Sequence, residues 1–201
     1  MGSAPSAEIA VAAARLVVED GMEYAAAKRK AARALLRRSG REGELPSNEQ
    51  VEDEVRAYLD LFCADTQPAE LRALRELALT WMGRLAEFRP HLGGAVWRGT
   101  ATRLSAIRLD LYCDDAKSTE IALLNRGVRY EVVGRPDERA GRAEVLSISE
   151  RCEAIGAPVT LLLSILDHDD LRGALKPDAR GRSWRGDAAA LRRLLDAQAH
   201  A

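Results

Sequence analysis

The stretch Ile107-Arg108-Leu109-Asp110-Leu111-Tyr112-Cys113 decides the fold. Apolar residues at 107, 109, 111 and 113 alternate with Arg108, Asp110 and Tyr112, the period of a strand with one buried and one wet face. The same alternation puts Arg108 and Asp110 on one side of that strand. Just upstream, Gly94-Ala95-Val96-Trp97-Arg98 reads as a short strand ending at the turn Gly99-Thr100. Downstream, Asp114 or Asp115 can cap a helix that stops at Asn125-Arg126-Gly127. Residues 128–133 alternate again. Residues 143–149 and 158–166 give two more strands, the second apolar enough to be central. Segments 134–142 and 176–186 read as loops, and 187–198 as a final helix. The order is β-β-α-β-β-β-α.

The chain before this region reads as helical. Ser6 is placed to cap a helix through Ile9, Val11, Ala14, Leu16 and Val17 to Gly21, and a basic, Ala-rich helix follows over 22–38. Residues 39–46 form a polar loop. Ser47-Asn48-Glu49-Gln50 has the form of a capping box, and Val51, Val55, Tyr58, Leu59 and Phe62 make one apolar stripe behind it. Asp65-Thr66-Gln67-Pro68 opens a fourth helix carrying Leu71, Leu74, Leu77, Ala78, Trp81, Leu85 and Phe88. The expected class is α+β: a helical region over 1–90, then a small mixed sheet with helices over 91–201. The fourth helix is free to pack on the sheet.

Composition narrows the function classes. Of 201 residues, 30 are basic and 31 acidic, so no overall positive field favours nucleic acid, and the Lys28-Arg29-Lys30 and Arg37-Arg38 clusters read as a solvated helix face. Cys63, Cys113 and Cys152 are far apart, lack zinc spacing and sit among apolar residues, which suits small core side chains rather than disulfides. No basic start leads into a hydrophobic run, and no apolar stretch reaches the roughly 20 residues of a membrane span. The expected setting is cytoplasmic, without a membrane partner.

The segment 93–131 is the candidate for chemistry. With Gly99-Thr100 as the turn, Ser105-Ala106-Ile107-Arg108-Leu109-Asp110-Leu111 as the charged strand and Glu131 on a later strand, it resembles the nucleotidyltransferase superfamily of DNA polymerase β-like minimal enzymes. Members carry a Gly-Ser turn, a strand with Asp-x-Asp, and a third carboxylate on a later strand. The resemblance implies catalytic roles for Asp110 and Glu131, with Asp110 as ligand of Mg²⁺. It implies substrate-binding roles for Gly99, Thr100, Arg103, Ser105 and Arg108. In such a site two carboxylates hold metal ions that bridge a triphosphate. Here Arg108 replaces the first of them, residue 106 is Ala, and the spacing from Gly99-Thr100 to Asp110 is short. The resemblance therefore implies a nucleotide- or phosphate-binding domain with weak or absent transfer, the phosphate held by Arg98, Arg103 and Arg108. Without the resemblance, Arg108 and Asp110 are simply a surface ion pair, of about 0 to 1 kcal/mol.

Other features are weaker. Asp167-His168-Asp169-Asp170 could ligate a metal, but Asp at that point more simply caps a short turn. His91 is placed to interact with a helix C-terminus. Walker, GxGxxG, GxSxG and HExxH motifs do not occur. The alternative function class is a non-enzymatic interaction module, in which the Ala-rich helices over 6–38 pair with a partner or with a second copy as a homodimer.

Overall fold

The computed structural model describes residues 4–39, 44–134, 143–174, 181 and 183–199. Residues 40–43, 135–142 and 176–180, read above as loops, lie outside the described residues. The chain forms two compact units, one of residues 1–68 with 100–104 and one of 69–99 with 105–201.

The first unit holds α1 (Ala4–Asp20), α2 (Tyr24–Ser39) and α3 (Asn48–Phe62). Its core is built from small and branched side chains: Ile9, Ala10, Ala13, Ala14 and Val18 of α1, Ala27, Ala31 and Ala32 of α2, and Val51, Val55 and Leu59 of α3. Alanine faces let helix backbones approach closely, which offsets the scarcity of aromatics. Ser6 lies inside the first turn of α1 rather than capping it, because the helix begins two residues earlier. Gly21, at φ +65°, turns α1 into α2, and a Cβ there would sit 3.0 Å from Leu104 Cβ. The capping box forms as expected: the Gln50 amide donates to Ser47 Oγ at 3.1 Å, and the Ser47 amide to Gln50 Oε1 at 2.8 Å. Lys28 Nζ donates to Pro46 O and Asn48 Oδ1, tying α2 to the start of α3.

The second unit contains most of α4 (Gln67–Arg84), then β1 (His91–Gly93), α5 (Gly94–Arg98), β2 (Ile107–Tyr112), α6 (Ala116–Asn125), β3 (Glu131–Gly134), β4 (Glu144–Cys152), β5 (Ala157–Leu166), α7 (Leu171–Ala174), β6 (Arg185–Gly186) and α8 (Ala188–Ala199). The class is α+β. The six strands lie in the order β3-β4-β5-β2-β1-β6, with β2 parallel to β5 and the other neighbours antiparallel. Ile107, Leu109 and Leu111, with Leu161, Leu163 and Ile165 beside them in register, form a buried apolar face. Helices α5, α6 and α8 pack against the sheet. The opposite face keeps Arg108, Asp110, Leu162, Ser164, Val145 and Ser147 only half-buried.

Local signals placed several ends correctly. Asp115 caps α6 by accepting from the Lys117 amide, and Gly127 stops it at φ +68°. The Asp187 side chain accepts from the Ala190 amide at the start of α8. Two expectations are corrected. Residues 94–98 are the helix α5 and not a strand; the strand is His91–Gly93, which finds partners in β2 and β6. Gly94, at φ +66°, ends that strand, and the buried Arg75 closes α5 by donating to the carbonyls of Val96 and Trp97. The supposed loop 176–186 contains β6, whose two residues pair with Leu92 and Gly93.

Gly186 has no room for a side chain, since a Cβ there would lie 2.1 Å from the Trp97 ring. Gly186→Ala should therefore destabilise the sheet unit by about 1–3 kcal/mol through overpacking, read as a lower denaturation midpoint; an unchanged midpoint would contradict the packing of β6 on α5.

Candidate functional site on the open face of the sheet

Asp110 sits near the middle of β2, flanked in register by His91 of β1 and Ser164 of β5. Arg185 of the edge strand β6 reaches across β1, placing Nη1 at 2.6 Å from Asp110 Oδ2 and donating to the Tyr112 hydroxyl at 2.9 Å. The two partners of the ion pair are only 29% and 19% exposed, which separates it from an ordinary surface bridge. Ser164 hydrogen-bonds the same carboxylate. His91 is buried, its Nδ1 lies 2.9 Å from Arg89 O, and its ring meets Tyr112 edge-on at 5.3 Å. The cluster is a cation and a carboxylate set in a frame of Tyr, His and Ser.

Burial pushes the Asp110 carboxyl above the usual aspartate range, and Arg185, Ser164, His91 and Arg108 pull it back only in part. Burial likewise pushes the Tyr112 hydroxyl up, opposed by Arg185. A carboxyl raised in the folded state binds its proton more tightly there than in the unfolded chain. Its contribution to stability is thus complete below the unfolded value and is lost as pH rises through the folded value.

The residues singled out from sequence are distributed as follows. Arg108 lies two residues before Asp110 on the same face and contributes to its electrostatics. Glu131 pairs with Ser147 of β4, which pairs with Leu162 of β5, which pairs with Arg108. Glu131 is therefore on the same face, but three strand spacings from β2, or roughly 14 Å. Gly99 is the left-handed C-cap of α5, at φ +82°, and Arg75 Nη2 lies 3.6 Å from where its Cβ would be. Thr100 is buried and Arg103 exposed, both on the segment that packs with the helical unit; Ser105 is half-buried. Arg98 stacks on the ring of Trp184 at 4.3 Å. Thus Asp110 and Arg108 share one face of β2, while Glu131 lies three strands away on that face.

The glycines beside the charged strand are Gly93 and Gly94. Gly93 pairs with Arg108, and a Cβ on Gly94 would lie 3.0 Å from Arg108 Cδ. The adjacent pair Gly93-Gly94 was the available signal. Arg185, Tyr112, His91 and Ser164 were not singled out as site residues; for Arg185 no local signal exists, because it lies in a Gly- and Arg-rich stretch 75 residues after Asp110. Asp167, by contrast, caps its turn as expected, accepting from the Asp169 amide at 2.9 Å.

No family model and no curated protein matches the chain. Among solved structures, a Cid1 complex with the UTP analogue UMPNPP is similar at 14% identity and a TM-score of 0.35, over 57% of this chain and 36% of that one. A mutant of the Cid1 poly(U) polymerase bound to MgATP gives the same identity and TM-score, over 56% of this chain and 38% of the other. The chain thus spans well under half the length of these structures. No helix among the described residues is long and apolar enough to cross a membrane.

A carboxyl-carbon NMR titration should place Asp110 above the ordinary aspartate midpoint, and Arg185→Gln should raise it further by removing the nearest cation. A midpoint that stays put or falls in the variant would contradict the ion pair.

Proposed function

We propose that the sheet unit is a nucleotidyltransferase-like domain that binds a nucleotide or another phosphate-bearing small molecule on its open face, without metal-dependent transfer. The supporting observation is the juxtaposition of a Gly93-Gly94 turn, leading from β1 into α5, with Arg108 and Asp110 on the adjacent strand. This is the turn-and-strand arrangement that the family resemblance leads one to expect, supplied by a different glycine pair. Arg108 and Arg185 bring two guanidinium groups to that face, and guanidinium is the side chain best shaped for bidentate phosphate contacts.

The donor set does not fit a divalent cation. The one carboxylate on β2 is taken by Arg185 at 2.6 Å, Arg108 stands where a second carboxylate would be needed, and Glu131 is three strands away. Among the described residues no group of three His, Cys, Asp or Glu side chains could hold a metal ion. A cation beside Arg108 and Arg185 would meet repulsion in place of ligands. What the residues can do is orient and neutralise a phosphate. Asp110 holds Arg185 in place, and Tyr112 fixes the direction of its fork.

Thermal-shift and calorimetric titrations with ATP, CTP and UTP, each with Mg²⁺ or with a chelator, test the proposal. Nucleotide should stabilise the protein without Mg²⁺, by about 2.7 kcal/mol at a hundredfold excess over Kd. Arg108→Ala should weaken the effect, and radiolabelled nucleotide should show no transfer. Binding that requires Mg²⁺, or no response to any nucleotide or to inorganic phosphate, would overturn the reading.

A further inference from the structure

Helix α2 carries a charge distribution that neither its packing nor the sheet site uses. Between Tyr24 and Ser39 stand six basic residues (Lys28, Arg29, Lys30, Arg33, Arg37 and Arg38) and no acidic one, in a chain whose net charge is −1. The buried side of the helix is alanine at 27, 31 and 32, so packing places no demand for charge on the other side. On other helices three arginines meet a glutamate one turn away: Arg15 with Glu19, Arg56 with Glu52, Arg72 with Glu76. On α2, Lys28 is engaged by the start of α3, and Lys30 by Asp20 at 3.2 Å. Arg29 and Arg33 are exposed and have no carboxylate partner among the described residues. Like charges at this spacing cost an isolated helix a few tenths of a kcal/mol, so the pair does nothing for the fold.

These two arginines also share a shape. Ala26, Arg29, Lys30, Arg33 and Ala34 line an open groove of about 460 Å³. They are spaced by three and four residues and so run along one side of the helix, with Arg29 and Arg33 about 6 Å apart along its axis. The two alanines and the aliphatic stems of Arg29, Lys30 and Arg33 make most of its lining, and the charged ends of those three side chains are the polar groups it offers. Two guanidinium groups one helical turn apart, without carboxylate partners among the described residues, are complementary in charge and spacing to neighbouring phosphates of a chain.

We propose that this face of α2 docks a nucleic-acid strand by its phosphates, without regard to base sequence. The inference does not depend on nucleotide binding by the sheet unit. It is tested with the full chain by fluorescence anisotropy, using labelled single-stranded RNA and DNA of about 20 nucleotides and mixed sequence. The variants are Arg29→Gln/Arg33→Gln and, as a charge-matched control on α8, Arg192→Gln/Arg193→Gln. Both pairs are exposed, and unchanged helicity by circular dichroism confirms folding. The α2 variant should bind roughly tenfold more weakly at low salt, and its slope of log K against log salt should flatten by about 1.4, or two phosphate contacts at about 0.7 each. The control should match the wild type. Equal losses for RNA and DNA assign recognition to phosphate alone, whereas a wild-type preference for RNA, lost with the arginines, identifies RNA as the partner. Three results overturn the proposal: no binding at low salt, an α2 variant that behaves like the control, or displacement of the strand by an equal charge of polyglutamate, which would assign the surface to acidic proteins.

Discussion

The sheet unit depends on the two-sided character of β2. Leu109 is fully buried and its neighbours Arg108 and Asp110 are not, because Ile107, Leu109 and Leu111 must join the apolar layer shared with Leu161 and Leu163. Burying one of those leucines is worth about 1.5–3 kcal/mol, and a slip of one residue would exchange the two faces and bury both charges. Register is therefore set by the apolar side, and the polar side inherits its geometry. Arg185 starts opposite Gly93, which presents no side chain beside it, and reaches diagonally across β1 to Asp110, whose own partner on β1 is His91.

The same constraint shapes what the face can do. An aspartate beside a second carboxylate would gather cations, whereas one pinned by a half-buried arginine, with another arginine two residues before it, holds a guanidinium still. Burial raises the Asp110 carboxyl, and the arginines oppose that shift, so the ion pair and the desolvation of its members are parts of one balance. This balance of charges is the basis for the anion-binding reading proposed above.

Much of the fold was legible because its signals are local. The alternation over 107–113, the box at Ser47 and Gln50, and the stop at Gly127 each involve residues within a turn or two of one another. Arg108 and Asp110 were legible for the same reason. What escaped depended on distant pairing. Five residues are too few for periodicity to separate a strand from a helical turn, so α5 was misread; Arg75, nineteen residues before Gly94, helps to close it. A two-residue strand such as β6 has no pattern of its own and exists because β1 offers an open edge. The face of Glu131 follows from alternation, but its distance from Asp110 follows from strand order, which alternation does not carry.

The ion pair makes Asp110 and Arg185 one unit in holding the open face. A double-mutant cycle of Asp110→Asn, Arg185→Gln and the combined variant, each measured by chemical denaturation, tests it most directly. The coupling energy should fall within about 0.5–3 kcal/mol, with the double variant less damaged than the sum of the single ones. Strictly additive effects would mean that the two side chains do not interact in solution, and the reading of this face as an arginine-organised anion site would fall.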